Sequence, residues 1–168
     1  DESIAVYRER LRRIFSECQR VLKRNGVFVF TYHHKRIAAW NAVGEALARS
    51  GFRCTAVLPL RGEGQGGLHS YDGTIKWDAV FVCRKDTQVP GGDPCPVVVP
   101  RSAIADARRR ADAYAKELGD KKQIGFREPD RLSLERAMIV ASAAPGKADD
   151  ESVPLHTALY RTREQGSN

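Results

Sequence analysis

The stretch RVLKRNGVFVFTYHHK, Arg20–Lys35, decides the fold. Arg20 to Lys23 give a basic end to the helical pattern before them, and Asn25-Gly26 is a helix stop. VFVFTY, Val27 to Tyr32, is a run of β-branched and aromatic residues without apolar–polar alternation. A strand apolar on both sides is covered on both faces, which predicts a parallel sheet flanked by helices. The run then breaks into Tyr32, His33, His34 and Lys35, which are polar, ring-bearing or charged. Ligands of an open parallel sheet gather at the carboxyl ends of its strands, so these residues are the candidate substrate-binding set. The alternative is a loop leading into a helix, with His34 capping backbone groups and Lys35 in water.

Upstream, Ile4, Tyr7, Leu11, Ile14, Phe15, Cys18, Val21 and Leu22 recur at helical spacing. Ser3 is placed to cap this helix, and Asn25-Gly26 to supply a left-handed exit. Downstream, a second helix is predicted from Ile37 to Ser50. Ile37, Trp40, Val43, Gly44 and Leu47 form one stripe of it, and Gly51 ends it. FRCTAVLPL alternates like a strand with one face less buried, and Pro59 marks an edge position or a bulge. RGEGQGGLHSYDG is a glycine-rich loop, and TIKWDAVFVCRK is the next strand. Two strands joined by one irregular loop, with no room for a helix, are antiparallel.

Three segments follow: an α/β unit over residues 1–85, a Pro/Gly-rich linker over 86–101, and a helical extension with a flexible tail over 102–168. Ser102 caps a helix from Ala103 to Leu118. Another is expected from Asp130 to Ala144, stopped by Pro145-Gly146, and GKADDES reads as polar and mobile.

The 168 residues suffice for one ordinary domain, and 28 Lys+Arg against 21 Asp+Glu give a formal net charge of +7. That excess favours a polyanionic partner such as nucleic acid, although the positive residues are spread along the chain. On the late helix Arg108, Arg109, Arg110 and Lys116 are candidates to line a duplex, but Asp106, Asp112, Glu117 and Asp120 are mixed among them, the pattern of a solvated helix face. Cys18, Cys54, Cys83 and Cys95 form no CxxC pair. Their long gaps suit neither a zinc site nor a secreted framework, so they read as free thiols. Free thiols imply a reducing, cytoplasmic compartment. No run of about 18 apolar residues is present to cross a membrane, and the opening residues carry no signal-peptide pattern. The chain starts at DESIAVYRERL, inside a helical pattern and without an initiator Met, and is expected to be part of something longer.

Three stretches, ECQRVLKRNGVFVFT, AWNAVGEALARSGF and KWDAVFVCRK, resemble the C-terminal half of class I S-adenosylmethionine-dependent methyltransferases. In that family a helix ending in a basic RVLK and a glycine leads into the fifth strand. The next helix ends in GF before the sixth strand, and the seventh inserts antiparallel beside it. More narrowly, FTYHHK, then Ala39-Trp40, then GFRCTAVLPLR resemble the DNA methylases of the DUF1156 type, which are similar to adenine-specific DNA amino-methyltransferases. The match covers about the first half of the chain.

This resemblance implies the C-terminal half of a Rossmann-like sheet, a parallel strand plus an antiparallel pair with flanking helices. It implies an enzyme that methylates an exocyclic amine of DNA, adenine N6 foremost, with S-adenosylmethionine as cofactor. Tyr32, His33, His34 and Lys35 are then expected to border the target-base pocket, where a ring stacks on an extruded base and Lys35 meets a phosphate. The family's glycine-rich cofactor turn and its Asp-Pro-Pro-Tyr-type tetrapeptide do not occur in these 168 residues. The cofactor site and the catalytic residues are therefore expected in a missing N-terminal half, and the chain alone is expected to be inactive. A missing neighbour strand leaves a sheet edge open, which invites self-association. The alternative is a non-catalytic module that binds nucleic acid or protein.

Other chemistries find less support. GEGQGG follows Arg61 rather than a strand-to-helix turn, so it is no dinucleotide fingerprint, and Glu63 is the one acid near a strand end placed to mimic a ribose ligand. A metal site needs His69 and His156 beside the His33–His34 pair, and these are distant in sequence. No Gly-x-Ser-x-Gly elbow is present. Trp40 reads as a core anchor, and Trp77 faces either way from its strand.

Overall fold

The computed structural model describes residues 2–62, 75–86, 95–119 and 125–162. Helix α1 (Glu2–Val21) leads into strand β1 (Phe28–Tyr32), and helix α2 (Ile37–Ala48) leads into β2 (Phe52–Arg61). Strand β3 (Trp77–Lys85) completes the first half. The second half holds β4 (Val97–Pro100), α3 (Arg101–Gly119), α4 (Glu128–Ala141), β5 (Ala144–Pro145), β6 (Ser152–Pro154) and α5 (Leu155–Tyr160). The chain is mixed α/β, with two three-stranded sheets ordered β1-β3-β2 and β5-β4-β6.

Every described strand pair is antiparallel. The hairpin expected from the glycine-rich connection is present as β2–β3, with the register broken between Cys54 and Ala56. β2 is an edge strand, which accommodates Pro59 because that residue has no amide to donate. β1 lies on the opposite edge, so β1 and β2 run in the same direction without touching.

The two-sided covering expected for VFVFTY is not found. Phe28, Phe30 and Tyr32 turn inward, whereas Val29 is 53% exposed. The core draws Phe28, Phe30, Tyr32, Phe52, Val57, Ala79, Phe81 and Cys83 from the sheet and none of the residues that alternate with them. Val29, Leu58 and Leu60, together with Val27 just before β1, are left on an open apolar face. Among the described residues the covering helices stand on one side of the sheet, which is why an unalternating strand has a wet face here.

That covered side is aromatic. Phe15 of α1 meets Phe28 and Phe30 with ring centroids 5.7 and 5.2 Å apart. Phe30 stacks on Phe81 at 4.7 Å, and Phe28 on Phe52 at 4.7 Å. Trp40, fully buried on α2, closes the end of the layer against Tyr32. α2 ends as its sequence implies, because Gly51 takes the left-handed conformation at φ 72°. At Gly44 a Cβ would stand 2.5 Å from Leu155, so the missing side chain lets α5 approach α2. The expected left-handed exit at Asn25-Gly26 is absent: the chain turns instead through the Gly26 amide donating to the Lys23 carbonyl at 2.8 Å.

Beyond residue 86 the structure is richer than a linker and a helical extension. Residues 97–100, inside the expected linker, form β4 because Val97, Val98 and Val99 are buried between β5 and β6. The GKADDES stretch is followed at once by β6 and α5. α3 lays Ala107 and Ala111 against α4, and α4 reaches the sheet. Its buried Asp130 accepts the amides of Lys76 at 2.6 Å, Trp77 at 3.1 Å and Arg127 at 3.0 Å. Glu135, also buried, is met by Arg131 at 3.0 Å and Arg108 at 3.4 Å.

Asp130→Ala removes one acceptor from several backbone donors, so it is expected to cost about 3 kcal/mol. Urea unfolding reads this as a lower midpoint at unchanged slope. Arg109→Ala, which breaks only the exposed pair with Asp106, is expected to change stability by less than about 0.5 kcal/mol.

Candidate functional site

The four polar residues that end the β1 run lie on the turn into α2, and the turn is pinned from three directions. From below, Trp40 Nε1–H donates to the His34 carbonyl at 2.8 Å. Along the chain, the Arg36 amide donates to His34 Nδ1 at 2.9 Å. From the extension, Arg136 Nη1 donates to the Lys35 carbonyl at 3.4 Å, while its Nε holds Thr162 Oγ1 at 3.1 Å. His34 therefore caps a backbone group, the role the simpler sequence reading gave it.

His33 has a different partner. Its Nδ1 is in direct contact with Oδ1 of Asp78, a residue near the start of β3. Pairing of Tyr32 with Ala79 across the sheet places Asp78 beside the residue that follows β1. Both partners reach water, with side-chain exposures of 51% for His33 and 25% for Asp78.

Tyr32 belongs to the wall beneath the site. Its ring meets Trp40 edge-on, at 4.9 Å and 85°, and lies nearly parallel to the His34 ring at 6.4 Å. Its hydroxyl accepts from Tyr7 at 3.4 Å. Burial pushes the phenol well above its ordinary pKa, so Tyr32 stays neutral.

The structure thus brings His33, His34 and Lys35 together with Arg36 and Ile75 around one cavity of about 350 Å³, with Tyr32 behind it. Sequence reasoning missed Asp78, Arg36, Ile75 and Arg136. A signal existed for Asp78, a lone acid in the otherwise apolar stretch WDAVFV. None existed for Arg136, which arrives from the far end of the chain.

Other groupings are less suited to chemistry. A second cavity, of about 300 Å³, lies between α1 and α2 and is lined by Arg8, Glu9, Arg12, Glu45, Ala46 and Arg49. Both of its carboxylates are paired: Arg8 meets Glu45 at 2.8 Å, and hydrogen bonds from Arg12 and then Arg13 lower the Glu9 carboxyl to about 2. Cys54 faces Cys83 across β2 and β3. The bond from the Cys83 thiol lowers the Cys54 pKa, while the same contact and burial raise that of Cys83. Arg109 and Arg110 on α3 share Asp106, which makes that face a balanced ion-pair surface. Trp77 turns inward onto Phe126, with ring centroids at 5.4 Å.

Among the described residues no group of three His, Cys, Asp or Glu is placed to hold a metal. His156 is exposed on α5 beside Thr157, while Glu63 and His69 lie outside the described residues. Comparison with protein-family models, with curated proteins and with solved structures finds no match to this chain.

The His34→Ala variant removes the acceptor for the Arg36 amide. Hydrogen exchange is expected to speed up at Arg36 through Ala39 while global stability falls by less than about 1 kcal/mol, because the turn is exposed.

Proposed function

We propose that this chain is the C-terminal part of an S-adenosylmethionine-dependent DNA amino-methyltransferase, with adenine N6 the foremost target, and that it supplies the target-base side of the cleft. The observation that carries the reading is the strand order. β1 and β2, joined through α2, run in one direction with β3 inserted antiparallel between them. An antiparallel strand beside β2 is what the resemblance implies for the seventh strand beside the sixth.

Two further observations support it. The cavity of His33, His34 and Lys35 opens beyond the carboxyl end of β1, where ligands of open α/β sheets bind. The free edge of β1 and the open Val29–Leu58–Leu60 face suit a sheet that continues into a larger layered domain. The formal net charge of +7 suits a polyanion, and the free thiols suit a reducing, cytoplasmic setting. No described helix is long and apolar enough to cross a membrane.

S-adenosylmethionine, bound elsewhere in the longer protein, supplies an electrophilic methyl group that the base amine takes by direct displacement, without a metal. Neither cavity has a glycine turn between a strand and a helix, so no residue of this chain is assigned to the cofactor. The chain's own contribution is to hold the base and its phosphate. One observation favours a second reading, a binding module without chemistry: the open apolar face is the kind of surface that receives a protein partner.

Incubation with labelled S-adenosylmethionine and mixed-sequence DNA separates the two. The longer protein is expected to transfer label and this chain alone to transfer none. Transfer by the chain alone, or none by the longer protein, overturns the proposal. Binding of the chain to DNA is expected to weaken steeply between about 50 and 200 mM salt as phosphate contacts release counterions. A flat salt response counts against a nucleic-acid role. In gel filtration the isolated chain is expected to self-associate through its free sheet edge, and a clean monomer counts against that part of the model of assembly.

A further inference from the structure

The two adjacent histidines are held in opposite tautomers. Asp78, a carboxylate, can only accept, so the His33 Nδ1 in contact with it carries a proton, and in the neutral ring Nε2 is the bare nitrogen. His34 is the reverse. Its Nδ1 accepts the Arg36 amide at 2.9 Å, so that nitrogen is bare and Nε2 carries the proton. Each ring has one nitrogen committed to the protein and one to spare. The spare nitrogens are an acceptor on His33 and a donor on His34, and both residues line the same cavity of about 350 Å³.

An acceptor and a donor on the lining of one cavity suit a heterocycle whose edge offers an amino N–H and a bare ring nitrogen. Adenine and cytosine present that edge, and a cavity of this size can receive a base. Lys35 and Arg36 on the same rim are fixed cations suited to a phosphate. Ile75 gives the cavity its apolar side.

We propose that His33 and His34, set in opposite tautomers by Asp78 and by the Arg36 amide, read the amino edge of an aminated nucleobase while Lys35 and Arg36 meet its phosphate. The inference deepens the methyltransferase reading, whose substrate it specifies, and rests on it for the biological target alone. Asp78 is a positioning residue: it touches His33 and fixes which edge His33 can meet.

The test is a titration of the full chain with adenosine 5′-monophosphate, followed by the ring nitrogen signals of its histidines at about pH 8, above the ordinary imidazole range. In the free protein His33 is expected to show the Nδ1–H form and His34 the Nε2–H form. Any other assignment overturns the proposal without need of a variant. On titration both rings are expected to shift. Inosine 5′-monophosphate, whose edge has donor and acceptor exchanged, is expected to bind at least about tenfold more weakly. Asp78→Asn is expected to mix the His33 tautomers and to erase the preference for adenosine 5′-monophosphate, with Lys35→Ala weakening both nucleotides alike. Equal shifts with inorganic phosphate reduce the site to a cationic patch and overturn the base-reading role, as does the absence of any shift. Nucleotide bound at the two rings in a protein that transfers no methyl group removes the methyltransferase reading and keeps this site. Transfer to DNA with silent histidines does the opposite.

Discussion

The larger sheet depends on one strand having two neighbours. Among the described strands β1 and β2 do not pair with each other, and each pairs with β3 alone. The register of β3 therefore sets the register of the whole sheet. A slip by one residue exchanges the faces of a strand, which here would turn Phe81 to water and bring Val80 and Val82 into the aromatic layer. Two devices oppose this. Phe81 is fully buried and stacks on Phe30, and the Asp130 carboxylate takes the amides of Lys76 and Trp77 just where β3 begins. A helix from the second half of the chain thus fixes the phase of a strand from the first.

Much of the first half was legible in its residues. The helical spacing around Phe15 and Trp40, the exit at Gly51, the edge position of Pro59 and the antiparallel β2–β3 pair all follow from local rules. Which face VFVFTY buries did not follow. Absence of alternation says that both faces of a strand are apolar, but not that two layers of helix lie within reach. β4 was hidden because Val97–Pro100 is short and sits among prolines and glycines, where its pairing partners come only from residues 144–154. The site divides the same way. His33, His34 and Lys35 stand out because they interrupt an apolar run. Asp78 also stands out, as a lone acid in an apolar stretch, but its pairing does not, since its partner is 45 positions away and is brought near by the strand register.

The extension is part of what holds the site. Arg136 spans from Thr162 to the Lys35 carbonyl, so the C-terminal segment grips the turn that carries both histidines. On the other side Trp40 holds the His34 carbonyl from within the core. The polar turn is thereby built on rigid elements although its side chains reach water, which is how a loop keeps the geometry that recognition needs. The basic character of the chain is less concentrated than its charge suggests, because much of it is cancelled locally on α1, α3 and α4. The cations left near the cavity matter for their position more than for their number.

The open face of the larger sheet has a thermodynamic consequence. Val27, Val29, Leu58 and Leu60 are about half exposed in the folded chain, so unfolding adds less apolar hydration from that side than from a covered face. Heat-capacity change and denaturant sensitivity both scale with newly exposed surface. The isolated chain is therefore set to unfold with a smaller heat-capacity increment than the same chain with that face covered, and with a flatter dependence of stability on temperature. Covering that face restores the missing increment, so calorimetry can register the arrival of whatever lies against the sheet as a change in the curvature of the stability profile.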